Sequence, residues 1–137
     1  MLRKDAKIEL LKRVPLFSAC SKSELGQIAE LADELDLPSE RNLTSEGAAG
    51  FEFLVLVEGE ADVVRHGEVV NELGPGDFIG EIALVTGRPR TATVRTRGPS
   101  RVLVLTASGF RTLMNDVPSI HDKVQAAVTA RTQDDDE

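Results

Sequence analysis

Residues Asp77–Val94 read DFIGEIALVTGRPRTATV, and the rest of the chain is best understood around them. Gly80-Glu81-Ile82-Ala83-Leu84 offers a glycine, a carboxylate and a short apolar turn, and Arg90 comes nine residues after Glu81. Glycine lets a backbone adopt positive φ and come close to a ligand. Free N–H groups at the start of a helical turn make a place for an oxyanion. Arginine adds a planar, charged fork that suits phosphate. A carboxylate beside these groups would repel a phosphate, so Glu81 is better placed to accept a hydrogen bond from a sugar hydroxyl. Together the groups point to a phosphorylated ribose.

Downstream, Thr91 to Arg97 alternates, with Ala92 and Val94 on one face and Thr93, Arg95 and Arg97 on the other, which predicts a strand. Arg90 shares the parity of Ala92 and Val94, the face assigned to an interior. An unpaired arginine there is costly, so it calls for an anion from the protein or from a ligand. Thr91 has the opposite parity, and any contact from it runs through its N–H. Nine of the 11 glycines lie between Gly47 and Gly98, with β-prone runs between them. Phe53–Val57 is continuously apolar, hence a buried strand; Ala61–Arg65, Glu68–Leu73 and Arg101–Leu105 are further strands. Many short strands between turns predict an antiparallel sandwich or barrel.

Helical periodicity holds only at the two ends. Leu2–Arg13 is amphipathic and stops at Pro15, Leu16 and Phe17 form an apolar plug, and Ser21 with Glu24 makes a capping box for a second helix. After Thr106, Phe110, Leu113 and Met114 line one face. Pro118 then opens a last helix striped by Ile120, Val124, Ala127 and Val128.

The chain has 137 residues, enough for one domain with a real core. Its net charge of −7 argues against nucleic acid or an acidic membrane as partner. The charge is uneven: residues 82–115 hold six arginines and no Asp or Glu, leaving 10 basic against all 23 acidic residues elsewhere. A local cationic segment in an acidic molecule suits a small anionic ligand, although cross-strand pairing with acidic neighbours accounts for most of these arginines. A single cysteine, Cys20, excludes an internal disulfide framework. No apolar run approaches a membrane span, and a cytoplasmic protein is expected. His66 and His121 are too few and too far apart in sequence for a histidine metal cluster, and no nucleophile–histidine arrangement stands out, so neither a metal nor catalysis is expected.

The opening stretch closely resembles the phosphate-binding cassette of cyclic nucleotide-binding domains, as in protein kinase A regulatory subunits, catabolite activator proteins and cyclic nucleotide-gated channels. The family pattern runs phenylalanine-glycine-glutamate, an aliphatic, alanine, leucine, then a loop ending in arginine and a small residue before alanine. Here it reads Ile79-Gly80-Glu81-Ile82-Ala83-Leu84 and Arg90-Thr91-Ala92. Ile79 in the phenylalanine position is the one departure, expected to change packing rather than ligand contacts. The resemblance extends over about Pro15 to Leu113 and takes in Gly47, Gly50, Phe53 and Glu58-Gly59-Glu60.

It implies an α+β, mainly β fold: an eight-stranded antiparallel jelly roll flanked by N-terminal and C-terminal helices. The expected single domain is 1–131, with helices over 1–33, a β-barrel over 34–106 holding the cassette at 78–92, and helices over 107–131. An acidic disordered tail follows at 132–137. The implied ligand is a cyclic nucleotide, cAMP favoured and cGMP possible. Its phosphate would meet Arg90 and the N–H groups of Ala83 and Thr91, and its ribose 2′-hydroxyl would meet Glu81 and Gly80; Ile82 and Ala92 complete the site. Val124, Val128 and Arg131 are candidates to cover the base, though Val124 and Val128 read more often as plain core. The expected role is a stand-alone sensor relaying binding through its C-terminal helices to a protein effector or a homodimer partner. The alternatives are a ligand-free relative that serves as an interaction module, or the regulatory fragment of a larger protein.

Overall fold

The computed structural model describes residues 4–135; the side chains of Ile82 and of residues 131–135 lie outside what is described, as does Leu2. Two helices come first, α1 (Lys4–Lys12) and α2 (Lys22–Leu31), joined through a 3₁₀ turn at Pro15–Phe17. The Ser21 hydroxyl accepts from the Glu24 N–H, and the Glu24 carboxylate accepts from the Ser21 N–H, so both sides of the capping box form. Eight strands follow: β1 (Asp33–Leu37), β2 (Asn42–Thr44), β3 (Glu52–Glu58), β4 (Ala61–Arg65), β5 (Glu68–Leu73), β6 (Phe78–Ile79), β7 (Thr93–Thr96) and β8 (Ser100–Thr106). A short helix, α3 (Glu81–Thr86), interrupts them, and α4 (Ala107–Asp116) and α5 (Pro118–Asp135) close the described chain.

The strands form two four-stranded sheets, ordered β1-β8-β3-β6 and β2-β7-β4-β5, with every pair antiparallel. Leu54 and Leu56 of β3 and Val102 and Val104 of β8 pack with Ala61, Leu73 and Val94 of the other sheet. The alternate residues Phe53, Val55, Leu103 and Leu105 pack instead against the helices, with Ile8, Leu11, Phe17, Ile28, Phe110, Leu113, Ile120 and Val124. Side chains alternate between the faces of a strand, so β3 and β8 must be apolar throughout because both of their faces are covered. That is why Phe53–Val57 reads as one unbroken run.

Three elements differ from the expectation. The strand expected over Thr91–Arg97 is regular only from Thr93 to Thr96, because Arg90 pairs its N–H with the Ala48 carbonyl and its carbonyl with the Gly47 N–H instead of joining the ladder. Burial still alternates through the irregular part, Arg90, Ala92, Val94 and Thr96 being buried. β1 reads DELDL and shows no apolar run; it is an edge strand whose Asp36 receives a hydrogen bond from Arg101. Helix α5 continues to Asp135, into the stretch expected to be an acidic disordered tail; no glycine or proline stands between Ser119 and Asp135 to stop it. Residues 136–137 lie outside the described residues. Among the described residues no helix is long and apolar enough to cross a membrane.

Candidate functional site

β6 delivers the chain to Gly80, whose φ of 98° is in the left-handed region and which caps α3. The conformation and the room both require glycine. A Cβ there would stand 2.5 Å from Arg90 Nη1 and 2.5 Å from the Glu52 carbonyl oxygen. Gly50 is equally confined: a Cβ would lie 2.6 Å from Arg90 Nε and 2.6 Å from the Ala83 Cβ. Two glycines from distant parts of the chain therefore make the slot that the Arg90 guanidinium occupies.

Within that slot Arg90 Nη2 donates to the Glu52 carbonyl oxygen at 2.8 Å. Nη1 is buried and has no hydrogen-bond partner. Burial pushes the guanidinium below its ordinary pKa, and the negative charges of Glu52 and Glu81 act in the opposite direction. Leaving a buried donor of a charged group unsatisfied costs on the order of 1–3 kcal/mol or more, so Nη1 marks a place prepared for an acceptor. Arg97 and Arg101 present a contrast, as each is ringed by carboxylates: Glu60, Asp62 and Glu72 for Arg97, and Glu34, Asp36 and Glu58 for Arg101. These two follow the cross-strand pairing read from sequence.

The backbone around Arg90 is fixed on both sides. Its carbonyl accepts from the Gly47 N–H at 2.8 Å. In a planar trans peptide the next N–H points the opposite way, so that of Thr91 is turned away from Gly47. The Thr91 carbonyl accepts from Arg65 Nε at 3.1 Å, and Thr44 Oγ1 bridges the Ala92 carbonyl and the Val94 N–H. Glu81, at the first position of α3, is fully buried at 0% exposure.

These groups surround a cavity of about 330 Å³, within the size range of small-molecule sites. Gly80, Glu81, Ala83, Arg90, Thr91 and Ala92 line it together with Thr44, Val63, Arg65, Val70, Asn71 and Leu73. So the named positions from Gly80 to Ala92 converge, apart from Ile82, whose side chain lies outside the described residues. Val124 and Val128 do not line the cavity; they are buried in the helical core, 0% and 7% exposed. The side chain of Arg131 lies outside the described residues. Sequence reasoning missed Glu52, which acts through a main-chain carbonyl that any residue could supply. It also missed the cavity-lining roles of Thr44, Arg65, Val70 and Asn71. Among the described residues no cluster of His, Cys, Asp or Glu is arranged to hold a metal ion.

Comparison with known proteins agrees with this geometry. Residues 34–117 match the model of the cyclic nucleotide-binding domain. A cAMP-dependent protein kinase regulatory subunit of Emericella nidulans is 35% identical over 112 residues, covering 80% of this chain and 27% of the relative. The chain spans about a quarter of the length of the curated relatives it matches. Among solved structures, the regulatory domain of Toxoplasma gondii PKA with cAMP superposes with a TM-score of 0.82 at 25% identity, covering 93% of this chain and 50% of that one. The regulatory subunit of a cAMP-independent protein kinase A from Trypanosoma brucei shares the fold at a TM-score of 0.85 and 21% identity, covering 93% of this chain and 46% of that one. With 84 of its residues inside the family match, a jelly roll of the same shape and the glycine–glutamate–arginine cavity in its interior, the chain belongs to the cyclic nucleotide-binding domain family.

Proposed function

We propose that this domain binds a cyclic nucleotide, cAMP in the first place, and reports its presence to a protein partner. The observation that carries the reading is the buried Arg90 Nη1 without a hydrogen-bond partner, set beside Gly80 and Glu81 on the cavity wall. A cyclic phosphate supplies the acceptor that Nη1 lacks, with the N–H groups of Ala83 and Thr91 as further donors. Glu81 and the Gly80 backbone take the ribose 2′-hydroxyl. The likeness to fungal cAMP-dependent protein kinase regulatory subunits and to the Toxoplasma regulatory domain solved with cAMP supports cAMP. The cAMP-independent neighbour supports a second reading, in which the same fold works without that ligand. Isothermal calorimetry with cAMP and with cGMP separates the two, and an absence of heat with both would sink the sensor.

The relay runs through α3, which touches both β3 and α5, while Leu84 packs against the helical core. A ligand that draws Gly80–Ala83 inward displaces α3 and, with it, the surface that α5 offers to an effector or a second copy. Such a shift can be no larger than the ligand's differential affinity for the two arrangements. With Val124 and Val128 in the core, cover for the base from α5 falls to residues beyond Val128, Arg131 among them.

The division of labour between Glu81 and Arg90 is testable. Glu81→Gln keeps an amide oxygen that can still accept from the 2′-hydroxyl, so a loss of about 1 kcal/mol, roughly fivefold in Kd, is expected. If Glu81→Gln cost more affinity than Arg90→Ala, the two roles would be misassigned.

A further inference from the structure

Thr91 is held through the two peptides that flank it. On one side the Arg90 carbonyl accepts from the Gly47 N–H at 2.8 Å; on the other the Thr91 carbonyl accepts from Arg65 Nε at 3.1 Å. Gly47 belongs to the loop between β2 and β3, and Arg65 ends β4. The two holds therefore come from separate elements, and the side chain of Glu46 joins them. Glu46 precedes Gly47, and its Oε1 accepts from the N–H of His66, the residue after Arg65, at 2.9 Å. Its Oε2 stands 3.3 Å from His66 Nδ1.

The join falls where the backbone is least comfortable. His66 and Gly67 make the two-residue turn between β4 and β5, with φ of 54° and 81°. Positive φ at both central positions is a type I′ turn. Gly67 adopts it freely, but His66 carries a Cβ and does so against its preference. The imidazole is 83% exposed, so packing does not fix the turn; the Glu46 carboxylate does. The loop keeps its own anchors apart from that carboxylate. The Glu46 N–H donates to Thr93 Oγ1, and Gly47 and Ala48 bond the main chain of Arg90.

We propose that Glu46 is a positioning residue for the anion-binding edge of the cavity: by fixing the His66 turn it keeps Arg65 on the Thr91 carbonyl and the Thr91 N–H directed at the ligand's phosphate. The inference rests on the cyclic nucleotide reading and deepens it. Glu46 does not line the cavity, so its effect reaches the ligand through other groups, the His66 turn and Arg65. Hydrogen bonds weaken steeply as donor and acceptor leave alignment. Releasing the turn lets the Thr91 peptide rock, and its bond to the phosphate is lost while the one from Ala83 stays.

The test measures Kd for cAMP by calorimetry and the amide-proton shifts of Thr91 and Ala83 at saturating cAMP. It compares the unsubstituted chain with Glu46→Ala, Glu46→Gln and His66→Gly. Glu46→Ala should weaken cAMP about five- to tenfold, as the loss of one hydrogen bond does. It should also reduce the downfield shift that cAMP causes at Thr91 and leave that at Ala83 unchanged. Glu46→Gln keeps an amide oxygen to accept from the His66 N–H, and should return affinity to within about twofold and restore the Thr91 shift. His66→Gly keeps the N–H and suits the turn, so it too should bind within about twofold. Unchanged affinity in Glu46→Ala, a Glu46→Gln variant as weak as Glu46→Ala, or Thr91 and Ala83 shifts that fall together overturns the role of Glu46. A loss in His66→Gly equal to that in Glu46→Ala also overturns it, because the contact would then lie in the ring. Failure of the unsubstituted chain to bind cAMP removes the ligand reading instead, and that result is read before any substitution is made.

Discussion

Arg90→Ala is expected to weaken cyclic nucleotide binding by about 2–5 kcal/mol, the range for truncating one partner of a buried, hydrogen-bonded charge contact; in Kd that is roughly 30-fold to several thousand-fold. Stability of the ligand-free domain should barely follow. The side chain contributes one bond, from Nη2 to the Glu52 carbonyl, together with its attraction to the carboxylates of Glu52 and Glu81. Against these stand a desolvated guanidinium and a buried Nη1 with no acceptor. Removing both terms together nearly cancels, because deleting an unsatisfied polar group recovers the cost of having buried it. Thermal denaturation with and without ligand separates the effects. At a concentration near 100 times Kd, ligand stabilises the unsubstituted domain by about 2.7 kcal/mol, and at that same concentration the gain should fall to about 0.9 kcal/mol or less in the variant while the ligand-free midpoint hardly moves. An affinity within twofold of the unsubstituted chain would show that Arg90 is not the anion-binding residue.

That so much of this site could be read from the sequence follows from where its parts lie. Gly80, Glu81 and Arg90 fall within one short segment, and the parity linking Arg90 to Ala92 and Val94 marks a charge pointing inward before any coordinates are seen. The unbroken run in β3 likewise records burial on both faces. Other parts leave no such trace. The role of Gly50 depends on Arg90 and Ala83, which are distant in sequence. The Glu52 contact is made by a carbonyl oxygen. Asn71 reaches the cavity only because Val70 bulges out of the β4–β5 ladder, and alternation counted along the sequence cannot register a skipped partner. Val124 and Val128 have the spacing of a buried helical face, which looks the same whether that face meets a ligand or a core. What the sequence conveys well is local chemistry and periodicity; what it conveys poorly is steric complementarity between segments.

Gly80→Ala makes that complementarity measurable. Two separate costs apply. A φ of 98° disfavours any residue with a Cβ, by about 1–2 kcal/mol. The new methyl would also fall 2.5 Å from Arg90 Nη1 and 2.5 Å from the Glu52 carbonyl oxygen. The side-chain nitrogen can swing away, but the carbonyl belongs to β3, held between β8 and β6, so the strain passes into the sheet. Overpacking of this kind costs about 1–3 kcal/mol. A total destabilisation of about 2–5 kcal/mol is therefore expected in urea denaturation, together with a loss of binding of at least about 100-fold, because the guanidinium and the α3 N–H groups move relative to each other. The same substitution in an Arg90→Ala background distinguishes the two contacts. With the guanidinium gone the clash at Nη1 disappears while the one at the Glu52 carbonyl remains, so Gly80→Ala should cost about 1 kcal/mol less there, a coupling typical of touching residues. If the cost is the same in both backgrounds, the guanidinium has no part in the requirement for Gly80, which then rests on its backbone conformation and the Glu52 carbonyl. If Gly80→Ala is neutral to within about 0.5 kcal/mol and binding persists, the slot described for Arg90 is not the one that holds it.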